Sequence, residues 1–170
     1  MESAGLAEIP LRLVGAFYVF AGYFATRVTL MTAFTDNAAA SISGVPPARM
    51  ATLKAAWLLL TSTLVLAGGV LLALLINGAQ WVFLVSVIIQ FAYLFALAPR
   101  YFDKFDAPTA SGRRQNVNAF FIYCSATFFV LWAAEGGYLR PIAAQPRQVL
   151  LLAVLAMLAH VIFVVRGLRR

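Results

Sequence analysis

Five apolar runs follow one another along the 170-residue chain, over residues 10–34, 47–76, 80–98, 116–138 and 148–165. A helix needs about 20 mostly apolar residues to cross a hydrocarbon core of roughly 30 Å, and each run meets that length or comes close. The runs lack the alternation of polar and apolar residues, in segments of roughly 10 residues, that a transmembrane β-barrel requires. The expected fold class is therefore all-α: an integral membrane bundle of about five transmembrane helices, forming one transmembrane domain over residues 1–170. A soluble fold is excluded by composition. With 63% hydrophobic and 11% charged residues, the chain has too few polar side chains to cover its surface in water.

The breaks between runs carry their own signals. "GVPPAR" hands over to the second helix, and the second and third are separated only by "NGAQ", so they must form an antiparallel hairpin. Pro99 is expected to end the third helix, and the paired glycines of "EGGYLRP" the fourth. No repeat recurs at a fixed period, and an odd number of spans does not divide into two inverted halves.

The net charge of +7 lies in short groups between apolar runs instead of along one solvated face, which points to membrane topology and away from nucleic acid. With five spans, Arg49, Lys54, Arg100, Lys104, Arg113, Arg114, Arg166, Arg169 and Arg170 fall on one side. Arg12, Arg140 and Arg147 fall on the other. The basic excess marks the cytoplasmic side, which predicts a cytoplasmic C-terminus and an N-terminus outside, in the periplasm if the membrane is a bacterial inner membrane. "MESAGLAEIPLR" opens on acids where a signal peptide has a basic n-region, so the first run is expected to stay in the protein. Cys124 is the only cysteine, and no Cys/His cluster has metal-ligand spacing, so neither disulfide nor cofactor is expected.

Arg27, inside "YFATRVTLMTAF", is the most conspicuous candidate residue. It lies 17 residues beyond Pro10, about 25 Å along a helix axis, near the inner edge of the core. It either snorkels to the headgroups or pairs with Asp36, or it faces the bundle with Tyr23 and holds an anionic headgroup or a carboxylate, framed by a "TDNAAAS" loop. Gln90 and Tyr93 share a helix face near mid-membrane, as do Tyr123 and Thr127. His160, the sole histidine, is expected to be buried, neutral and bonded to a neighbouring helix. Arg27, Gln90, Tyr93, Tyr123 and His160 together form the candidate intramembrane polar site.

Asp36, Glu135, Arg113 and Arg114 are the candidate interfacial charges. Glu135 is expected to pair near the headgroups with Arg140 or Arg12, while Arg113 and Arg114, in the long loop "RYFDKFDAPTASGRRQNVN", would meet anionic lipid or an acidic patch on a partner. Asp103 and Asp106 form a D-x-x-D pair that binds Mg²⁺ only when a substrate phosphate completes the ligand set, so no resident metal is expected. The opening "LRLVGAFYVFAGYFATR" resembles the first helix of DoxX-like small membrane proteins, which place an arginine before a glycine-bearing helix and a basic residue after it. The resemblance covers that helix, and because such proteins usually have four spans, no functional residue is carried over from it.

The chain has no P-loop, HExxH, GxSxG or paired-histidine haem motif, which favours a non-enzyme. The first functional expectation is an accessory or structural subunit that contacts membrane lipids and either other membrane-protein subunits or its own copies. One alternative is a small transporter or channel for an amphiphilic solute, with the candidate polar residues lining the path. Another is a membrane enzyme acting on a lipid or isoprenoid at the inner interface, through Arg27, Asp103 and Asp106.

Overall fold

The structure, a computed structural model, describes residues 2–44, 49–104 and 108–168. Five helices carry it: α1 (Glu2–Ser43), α2 (Arg49–Ala73), α3 (Ala79–Ala92), α4 (Ala110–Glu135) and α5 (Arg147–Leu168). The chain is an all-α bundle, and all five helices are long and apolar enough to cross a membrane, α3 together with the helical segment that continues it to Phe102.

Small residues hold the most extensive interface, between α1 and α2. A Cβ at Gly15 would collide with the backbone of Ala73, one at Gly22 would meet Leu66 N at 2.7 Å, and one at Gly69 would meet Val19 N at 2.5 Å. Backbones this close maximise van der Waals contact between helices that lipid alone does not drive together. The fully buried Thr26 adds a polar tie, donating to Ser62 Oγ at 2.8 Å.

The α2–α3 hairpin forms at "NGAQ" as expected. Gly78 turns the chain at φ 120°, and its N–H donates to Gln80 Oε1 at 2.8 Å. Just before it, Leu75 adopts φ 54°, a left-handed conformation that a branched apolar side chain rarely takes. The α4–α5 connection clasps this turn. Arg140 N–H donates to Leu75 O at 2.8 Å, Asn77 N–H to Arg140 O at 2.7 Å, and the Gln145 amide to Leu75 O at 3.1 Å. Gln145→Ala should therefore cost about 1 kcal/mol, the net worth of a typical hydrogen bond, read as a lower unfolding midpoint in mixed micelles.

Three expectations are corrected here. The first helix does not stop near Phe34: α1 runs on through "TDNAAAS" to Ser43, because three consecutive alanines have the highest helix propensity and the hydroxyls of Thr35 and Ser41 fold back onto Thr32 O and Ala38 O. Pro99 does not end the third helix. The chain continues as a π-helix over Tyr93–Phe102 with Pro99 inside it, and Asp103 N–H bonds to Ala98 O at 2.8 Å. A proline lacks the donor of an α-turn and clashes with the carbonyl four residues back, and the wider winding accommodates both defects. The long loop is mostly helix as well. Thr109 caps α4 by accepting from Gly112 N–H at 3.2 Å, which draws Arg113 and Arg114 into the first two helical turns.

Both halves of the bundle are apolar, yet only one is filled. Leu11, Leu72, Leu75, Phe83, Val130 and Ala133 close the half toward the Leu75 turn. There the Glu8 carboxylate accepts from Arg140 at 3.0 Å and pairs with Arg12 at 3.5 Å. We call this the Glu8 end. The opposite, basic end carries Arg49, Lys54, Arg100, Lys104, Arg113, Arg114 and Arg166.

Candidate functional site

The half of the bundle toward the basic end contains a cavity of about 840 Å³ between α1, α2, the π-helical segment and α4. That volume lies in the range of small-molecule sites, about 300–1,000 Å³. Its lining stops at Phe17 on α1, Val65 on α2 and Tyr123 on α4, so it does not reach the Glu8 end.

Two rings, Tyr18 and Tyr123, form its floor, and Phe83 packs behind them. Phe83 and Tyr123 stack with centroids 5.2 Å apart and planes at 8°, and Tyr18 meets both edge-on, at 5.4 Å and 5.0 Å. Offset stacking and edge-to-face contacts are the favoured aromatic geometries, so the floor is rigid. A Cβ at Gly68 would lie 3.0 Å from the Phe83 ring, which explains why a glycine stands there: it lets the ring settle against α2.

From the floor, a strip of polar groups rises along one wall, with Ser86 buried just behind it. The Tyr123 hydroxyl, on a residue 4% exposed, approaches Ser86 without completing a hydrogen bond. Ser86 Oγ accepts instead from the Gln90 amide at 3.0 Å. Tyr93 follows one turn on, its ring 6.5 Å from that of Trp57. Thr61 and Ser62 face the cavity from α2, and Thr61 spends its hydroxyl on Trp57 O and Leu58 O. Most of the remaining wall is apolar.

Lys54, Asp103, Arg113 and Asn116 surround the mouth at the basic end. Arg113 pairs closely with Asp103, whose side chain is 17% exposed, and so ties the end of the π-helical segment to the first turn of α4. The π winding makes this meeting possible. It carries the helix past Pro99 and delivers Asp103 to the mouth, where an α-helix ending at Pro99 would have left a loop.

Of the five residues in the candidate intramembrane site, three line this cavity: Gln90, Tyr93 and Tyr123. Arg27 does not. It is exposed on the outside of α1, where its stem can lie along lipid and its guanidinium reach the headgroups. The expected pairing with Asp36 is ruled out by the length of α1. Asp36 lies nine positions beyond Arg27 in the same helix, a rotation that puts them on opposite faces about 13 Å apart.

His160 is 5% exposed and sits behind α2, with Nε2 3.2 Å from Thr63 Oγ1 and Nδ1 without a hydrogen-bond partner. Asp36 lines a second gap, of about 550 Å³, between α1, α2 and α5, together with alanines, leucines and the polar Asn37, Thr52 and Thr63. Glu135 is exposed, and the expected pair with Arg12 or Arg140 is replaced by Glu8, which serves both arginines. Arg114 is exposed beside the mouth. Asp103 is engaged with Arg113, and Asp106 lies outside the described residues. Among the described residues no three His, Cys, Asp or Glu side chains gather as a metal site.

Lys54, Thr61, Ser62, Asn116 and Tyr18 were missed as site residues. The "TST" run at 61–63 is a legible signal, since three consecutive hydroxyls in an apolar span need partners or water. Lys54 counted only toward topology, although a basic residue at a helix end can also rim a cavity.

The fold and site define a five-helix integral membrane protein with an interhelical cavity open at its basic end. No family model, no curated protein and no solved structure matches the chain. The likeness of its first helix to DoxX-like proteins therefore gains no support from them.

Proposed function

We propose that this protein binds an anionic amphiphile between its helices, as the binding step of a small transporter or carrier for such molecules. The observation that carries this reading is one cavity with an aromatic floor, apolar walls and a charged mouth. Apolar walls suit a hydrocarbon body. At the mouth's end of the bundle the sequence places nine Lys and Arg against Asp36, Asp103 and Asp106, a balance that favours a phosphate or carboxylate head. On the positive-inside rule we take that end as cytoplasmic, with a bacterial inner membrane as the setting.

An accessory-subunit role draws on the exposed aromatic faces, such as Phe17, Phe128 and Trp132. Lipid covers such faces as well as a partner does, and that role leaves the cavity unused. The reading is tested by filling the cavity. In nanodiscs of neutral lipid, the wild type should bind dodecyl phosphate saturably, and Ala21→Trp should weaken binding at least tenfold. Equal uptake by both would mean that the probe only dissolves around the protein, and would overturn the proposal.

A further inference from the structure

Ala25 and Val28 of α1, and Ala119 and Ile122 of α4, all line the cavity, and all four are exposed. Among the described residues α1 packs extensively on α2 and α4 on α3, with no comparable interface between α1 and α4. These four residues border the cavity on its α1–α4 side. The two helices meet at the floor through Tyr18 and Tyr123, and no extensive α1–α4 interface accompanies that contact. Val28 lies ten residues beyond Tyr18, and Arg113 ten residues before Tyr123. Because α1 and α4 run in opposite directions, both positions stand about 15 Å from the floor. The four residues fall between these limits, within the spans and below the ring of charges.

The lack of an interface follows from how the helices are paired. The glycines of α1 bind it to α2, while α4 packs on α3 and the π-helical segment, where Phe120 meets Phe91 and Phe95. Among the described residues, no glycine of either helix packs on the other. Ala25, Val28, Ala119 and Ile122 are all apolar, so the gap between them faces hydrocarbon and would not hold a column of water.

We infer that the ligand reaches the cavity sideways from the bilayer through this α1–α4 portal, and that it is a bilayer-resident lipid with an anionic head. The inference rests on the binding role proposed above and adds the source and class of the ligand. The chain slides between Ala25 and Ala119 while the head stays at headgroup level beside Lys54 and Arg113. No polar group then has to cross hydrocarbon. An amphiphile arriving from water would instead have to drag its tail past the charged mouth. The aromatic floor closes the far end, so the lipid leaves by the portal unless Tyr18 and Tyr123 part.

Photo-crosslinking tests this in the full-length protein. A phosphatidylglycerol bearing a diazirine in one chain, resident in the same nanodisc, should label cavity-facing positions between Val117 and Tyr123. In the double variant Ala25→Leu/Ala119→Leu that labelling should fall at least fivefold, while labelling of the outward positions Phe128 and Leu152 stays unchanged and reports an intact bundle. If the double variant does not fold, each single substitution should give a smaller loss of the same kind. Undiminished cavity labelling in a folded variant would overturn lateral access. A diazirine-bearing dodecyl phosphate added from water is the counter-probe. Labelling of the cavity by it, with none by the phosphatidylglycerol, would also overturn the portal while leaving the binding role standing. Labelling by neither would remove the binding role itself.

Discussion

Replacing Gly69 with leucine should unfold the bundle's central pair of helices, with a loss of at least about 3 kcal/mol, the upper end of what overpacking costs. The reason is what the new side chain would strike. A Cβ at Gly69 would sit 2.5 Å from Val19 N and 2.8 Å from both Gly15 O and the Tyr18 carbonyl carbon. These are backbone atoms of a helix and cannot rotate aside. Relief would require α1 and α2 to separate, which would also pull Thr26 from Ser62 and tilt Tyr18 off the cavity floor. Unfolding in mixed micelles measures the loss. A Gly69→Leu protein that unfolds at the wild-type midpoint would show that α1 and α2 do not pack in this way.

Reversing the charge at the mouth should give the largest selective effect on binding. Arg113→Glu removes a cation and sets a second carboxylate beside Asp103, to which Arg113 is paired. Each basic residue near a lipid headgroup contributes about 1 kcal/mol to attraction of an anion, so a reversal is worth about 2 kcal/mol. At 1.4 kcal/mol per factor of ten, dodecyl phosphate should bind about 30-fold more weakly. A neutral amphiphile of the same chain length should change by less than about threefold, and raising the salt should shrink the difference between the two probes. Equal losses for both would point to a damaged fold instead of a lost headgroup contact. Equal retention would remove Arg113 from the site.

These two expectations differ in how far the sequence alone leads to them. The five helices were readable because an apolar run of about 20 residues has few alternatives, and the hairpin at "NGAQ" was readable from its brevity. The course of α1 beyond Phe34 was not. "TDNAAAS" looks polar enough for a loop, but its alanines favour helix, and nothing in hydropathy distinguishes a helix leaving the membrane from a turn. Pro99 misled for a related reason: a proline forbids the next α-turn, and it does not forbid a wider one.

The site was harder to read than the fold, for a physical reason. In water, the polar face of an amphipathic helix shows which side points outward. In lipid both the interior and the surroundings are apolar, so the sequence of α1 gives no face. Arg27 could be assigned to the headgroups, the plainer reading, or to the interior, and its exposure places it outside. Gln90, Tyr93 and Tyr123 were recognisable as polar groups in apolar spans, but only the packing of α3 against α4 brings them to one cavity. The Arg113–Asp103 contact was invisible because it depends on the π-helical segment that carries Asp103 to the mouth.

The central claim is that the cavity is a binding site for an anionic amphiphile. The most direct test is to purify the wild type and Ala21→Trp side by side in mild detergent and to identify by native mass spectrometry what remains bound. The wild type should retain about one anionic amphiphile per chain, and the filled variant should lack it while keeping the same oligomeric state. Identical bound lipid in both proteins, or none in either, would contradict the account.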